Sequence, residues 1–140
     1  MDEPTLSKNT SEWLGGWLSG GKEIESLPND VKNELVNLDM FKREYDVKLF
    51  RGSLSSDVFE TEGKDVFIVF DDLPSSWTYE NSIAGYFSDF IISTEVNSKN
   101  DILIDTTGLD IRPFGGFPNE DEVILLPGRY LTNLSPDQIP

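Results

Sequence analysis

Three short segments carry residue types that could do chemistry together. In Leu49-Phe50-Arg51-Gly52 an arginine ends an apolar run, in a chain with 26 Asp+Glu against 11 Lys+Arg. A guanidinium at the edge of a core must be met by a carboxylate or by a ligand anion, and the sequence leaves both partners open. In Ser75-Ser76-Trp77-Thr78 the hydroxyls precede Ile83, Ala84 and Phe87 at helical spacing, so they either cap that helix or enter a site. In Phe117-Pro118-Asn119-Glu120-Asp121-Glu122 two carboxylates lead into Val123-Ile124-Leu125-Leu126. Residues two apart on a strand share a face, so Glu120 and Glu122 repel each other unless a cationic ligand or transition state neutralises them.

Composition limits the chemistry further. Cysteine and histidine are both absent, which excludes disulfides, thiolate or imidazole metal sites, and Ser-His or Cys-His nucleophiles. A net charge of −15 disfavours binding to nucleic acid or an anionic membrane and favours a basic partner. No apolar run approaches the ~20 residues of a membrane span, and Met-Asp-Glu-Pro has no signal-peptide character. A cytoplasmic protein is the expectation.

The elements that would position these groups follow from periodicity. One domain is expected over residues 1–140, with residues 1–45 mostly helical and residues 46–135 as its strand-rich core. Residues 1–11 read as loose. Thr10-Ser11 could cap a short helix carrying Trp13, Leu14, Trp17 and Leu18, broken by Gly15-Gly16 and Gly20-Gly21. That glycine-rich stretch reads as broken helix packing rather than a ligand loop, since phosphate loops normally follow a strand. A helix from Asn29 or Asp30 presents Val31, Leu35, Leu38 and Phe41. Strands are expected at 47–52, 66–70, 90–96, 102–105 and 123–126, with a turn and short helix over 76–87. Helices followed by strands give an α+β class. Glu-x-Glu also occurs at Glu23/Glu25 and Glu60/Glu62, and the apolar strand that follows separates the Glu120/Glu122 copy from those two.

In order and spacing the three segments resemble the Arg–Ser–Glu class of mono-ADP-ribosyltransferases. That family has an Arg at a strand end, a Ser-Thr-Ser-like strand before a helix, and Glu-x-Glu before an apolar strand. The matching positions are Arg51, Ser76-Trp77-Thr78 and Glu120-Asp121-Glu122, and Phe117 stands where the family has its substrate-contact aromatic. The resemblance covers Val47 to about Leu131. It departs at the second and third motif positions, where Trp77 and Thr78 replace Thr and Ser.

The resemblance implies split antiparallel β-sheets with small flanking helices, and NAD as co-substrate with no metal. Glu122 would stabilise the oxocarbenium-like ribose, Ser76 would order Glu122, and Arg51 with Gly52 and Thr78 would hold NAD. Phe87 would lie near the nicotinamide or in the core. Glu120 would orient an acceptor arginine on a basic target protein, and Phe117 would meet that target. Small transferases of this kind occur in bacteriophages, where they modify host proteins. Two rival expectations are an acidic, non-catalytic decoy for a basic protein surface and an NAD glycohydrolase using the same site.

Overall fold

The computed structural model describes residues 6–19, 26–37, 46–86, 88–106 and 122–139. Two helices come first, α1 (Lys8–Ser19) and α2 (Asn29–Val36). Strands β1 (Asp46–Gly52), β2 (Val58–Glu62), β3 (Asp65–Phe70) and β4 (Ser75–Thr78) follow, then the one-turn helix α3 (Asn81–Ala84). The remainder is β5 (Ile91–Asn97), the short α4 (Ser98–Asp101), β6 (Ile102–Asp105), β7 (Glu122–Leu125), β8 (Gly128–Leu131) and a 3₁₀ turn at Pro136–Gln138.

The strands form two antiparallel sheets, one of five strands in the order β5-β1-β4-β7-β6 and one of three in the order β2-β3-β8. The fold is therefore α+β with few helices. No described helix is long and apolar enough to cross a membrane.

Strand alternation sorts the core into two layers. Trp77, Val123 and Leu125 point to one face of the large sheet and pack with Val66, Ile68 and Tyr130 of the small sheet. Ile124 points the other way and packs with Leu103, Ile104 and the helical residues Trp13, Leu14, Leu18, Val31 and Leu35. Full burial of such side chains contributes roughly 1.5–3 kcal/mol each.

Several sequence expectations are corrected. Helix α1 runs unbroken through Gly15-Gly16, and its cap is Ser7, whose hydroxyl accepts from the Thr10 N–H at 3.3 Å. Each helical glycine costs about 1 kcal/mol relative to alanine, which the burial of Leu14 and Leu18 more than offsets. The first eleven residues thus include the start of a helix. Ser75–Thr78 is a strand rather than a turn, because it fills the gap between β1 and β7 in the large sheet. Glu60 and Glu62 lie in β2, an exposed strand whose charged residues hid it from a hydrophobicity reading. Strand β8 was missed for the same reason, since two of its four residues are exposed. Leu38 and Phe41 of the expected second helix lie outside the described residues.

Candidate active site

The register of the large sheet brings the three motifs onto adjacent strands. Thr78 faces Glu122 across the β4–β7 ladder, Ser76 faces Ile124, and Phe50 of β1 faces Thr78 on the other side. Arg51 and Ser76 are 25 residues apart in sequence and Ser76 and Glu122 are 46 apart, and strand pairing brings them together.

Ser76 is the meeting point. Its hydroxyl donates to Glu122 Oε2 at 2.6 Å, and its carbonyl oxygen accepts from Arg51 Nη1 at 2.9 Å. The same Glu122 oxygen accepts from the Trp17 indole Nε1 at 2.6 Å, and Trp17 Nε1 also lies 3.2 Å from Ser76 Oγ. Glu122 is buried, and its backbone carbonyl accepts from both the N–H and the hydroxyl of Thr106. A buried carboxylate with charge-assisted donors on one oxygen is held in a single orientation, and such bonds are shorter and stronger than neutral ones.

The arginine at the strand end has found a carboxylate. Arg51 Nε and Nη2 form a fork on Asp57 Oδ2 and Oδ1 at 3.1 and 2.8 Å, and the Asp57 side chain is 3% exposed. Asp57 Oδ2 also accepts from the Ser53 hydroxyl and the Leu54 N–H. The Arg51 guanidinium lies 5.1 Å from the centre of the Phe70 ring in the small sheet. Arg51 shares the strand face of Val47 and Leu49, whereas Glu122 shares that of Ile124. Ser76 is therefore approached by the guanidinium on the small-sheet side and by the carboxylate on the helix side. The ion pair uses three of the five guanidinium N–H groups with Ser76 included, and two have no partner among the described residues.

The other expected residues divide. Thr78 is buried, and its hydroxyl accepts from the Glu80 N–H at 3.1 Å, which shapes the entry to α3. Gly52 is buried opposite Ile91 in the β1–β5 ladder. Glu120, Phe87 and Phe117 lie outside the described residues. Beyond Thr78, Tyr79 donates its hydroxyl hydrogen to Asp105 Oδ2 at 2.7 Å, tying the end of β4 to β6, where Asp105 is paired with Val123.

Two residues of the site were not found in the sequence. Trp17 reads from the sequence as helix packing, and its indole N–H meets Glu122 only through the docking of α1 against the core that holds Ile124. Asp57 sits in an acidic stretch with no distinguishing pattern, so nothing marked it as the partner of Arg51. Comparison with protein-family models, curated proteins and solved structures gives no match.

Proposed function

We propose that the chain is a mono-ADP-ribosyltransferase that moves ADP-ribose from NAD to an arginine of a basic target protein. The observation that supports this most is the convergence on Ser76, whose hydroxyl holds Glu122 and whose carbonyl holds Arg51. The resemblance to the Arg–Ser–Glu family joins those same three residues.

In the proposed reaction the bond between the nicotinamide nitrogen and ribose C1′ breaks, and its electron pair leaves with neutral nicotinamide. Positive charge develops on the ribose, where a preorganised carboxylate stabilises it more in the transition state than in the ground state. Glu122 fills that role, with its orientation set before substrate arrives. A guanidinium nitrogen of the acceptor then bonds to C1′ and loses one proton, which Glu120 accepts and passes to solvent. The two remaining Arg51 N–H groups contact the NAD phosphates, and Gly52 and Thr78 shape the adjacent wall. An acceptor on a basic surface fits a −15 protein.

The test is incubation of the protein and its Glu122→Gln variant with labelled NAD and a lysate, followed by mass spectrometry of labelled proteins. Labelled arginine that disappears with Glu122→Gln supports the reading. Release of nicotinamide without protein labelling makes the chain an NAD glycohydrolase. No turnover of NAD overturns both and leaves an acidic binding protein.

A further inference from the structure

We propose that Trp17 is a positioning residue for Glu122, so that α1, which lies outside the segment carrying the three motifs, completes the site. The inference rests on the transferase reading for its catalytic consequence and on geometry alone for the contact.

Trp17 reaches Glu122 across 105 residues of sequence, and its Nε1–H meets Oε2 at 2.6 Å. The indole is fixed from behind. Its ring stacks on Trp13 with centroids 5.3 Å apart and planes 19° apart, and Trp13 donates its own N–H to the Ser26 carbonyl at 3.0 Å. Helix α1 is in turn anchored by Trp13, Leu14 and Leu18, which pack in the same core as Ile124, two residues beyond Glu122 on the same strand face. One packing event thus docks the helix and aims the N–H.

A structural tryptophan needs only some acceptor for its N–H. Here the acceptor is the oxygen that also takes the Ser76 hydroxyl, so two rigidly held donors define the carboxylate plane from different elements. Their convergence fixes that oxygen in one place, where a carboxylate can meet a cationic ribose without first reorienting. An indole also has no proton to give up at ordinary pH, so Trp17 orients Glu122 without competing as an acid.

Trp17→Phe keeps the ring stack and removes the N–H. The expected result is a fall in kcat for NAD hydrolysis on the order of ten- to a hundredfold, with KM for NAD and the melting temperature little changed. Trp17→His, if its ring N–H reaches the carboxylate, is expected to restore part of kcat. The accompanying spectroscopic arm uses the three indole N–H signals in a ¹H–¹⁵N spectrum, the Trp17 signal being the one lost in Trp17→Phe. Glu122→Gln should move that signal upfield and leave that of Trp77, which donates to Ser75 Oγ, in place. A Trp17→Phe variant with higher activity or a lower KM would mean that Trp17 obstructs the site, which overturns the proposal. So would a loss of activity that only follows loss of folded protein. A wild-type protein that does not turn over NAD overturns the transferase reading, whereas an indole signal indifferent to Glu122→Gln overturns the positioning of Glu122 whatever the activity.

Discussion

Ser76 donates its hydroxyl hydrogen to Glu122 Oε2 while its carbonyl accepts from Arg51, so one residue of β4 links the carboxylate of β7 to the guanidinium of β1. The link needs no long side chain. Strand pairing places Ser76 between the two, and its short side chain and backbone do the rest.

Ser76→Ala removes one of the two donors that Ser76 and Trp17 place on Glu122 Oε2. A hydrogen bond to a charged group is worth about 1.5–3 kcal/mol, so NAD turnover should fall roughly tenfold to a hundredfold with folding intact. Because Trp17 acts on the same oxygen, the effects of Ser76→Ala and Trp17→Phe should not add. A double-mutant cycle on kcat measures this. Additive losses would mean that the two donors act independently.

Arg51→Ala leaves the 3%-exposed Asp57 carboxylate without its cationic partner. Breaking a buried pair this way costs about 3–5 kcal/mol, so this variant should melt markedly lower than the wild type. The resemblance gives Arg51 a role in holding NAD, and the fork on Asp57 adds a structural one. Arg51→Lys separates the two roles. It retains a charge for Asp57 and loses the fork, so it should weaken NAD binding by about tenfold or more while melting closer to wild type. Calorimetric titration and thermal melts read the two effects, and unchanged affinity in folded Arg51→Lys removes Arg51 from the NAD site.

The pattern of what was legible follows from how each residue signals itself. Helix α2 and strands β1, β3, β5, β6 and β7 contain apolar residues at regular spacing and were located to within a few residues. Strand β2 and two of the four residues of β8 are exposed, and neither strand carries such a period. Arg51, Ser76 and Glu122 were legible as a set because their order and flanks are distinctive. Trp17 and Asp57 were not, since each acts through a tertiary contact that no local pattern encodes.

Glu34 of α2 ties down the first turn of α1 and should make that docking acid-sensitive. The Thr10 hydroxyl, the Ser7 N–H and the Ser7 hydroxyl hold its carboxyl below the ordinary value of 4.5. The Ser7 N–H and hydroxyl each lie 3.0 Å from Glu34 Oε1. A carboxyl depressed in the folded state contributes stability that is fully present above its unfolded pKa and is lost as pH falls through the folded value. Glu34→Gln should therefore melt below wild type at pH 7, and the gap should close on acidification below about 4.5. A gap that persists at low pH would assign the effect to packing.

The two glutamates of Glu120-Asp121-Glu122 should separate by reaction step. Glu122 serves the step common to every acceptor, the build-up of positive charge on the ribose, and its carboxylate is already fixed by Trp17 and Ser76. Glu122→Gln keeps the shape and removes the charge. It should lower NAD hydrolysis and protein labelling together by about a hundredfold or more, as the loss of other preorganised electrostatic groups does. Glu120 should serve only the acceptor, whose guanidinium has a pKa above ~12 and must lose a proton to attack. Glu120→Gln should spare hydrolysis and abolish transfer to arginine. Glu62→Gln is the control, because Glu62 belongs to the other described Glu-x-Glu and pairs at 3.1 Å with Arg129, itself 3.6 Å over the Phe67 ring. With Glu62 71% exposed, that pair contributes at most about 1 kcal/mol, so stability and both activities should hold. Parallel loss in Glu120→Gln and Glu122→Gln would end the division of labour, and full activity in both would end the transferase reading itself.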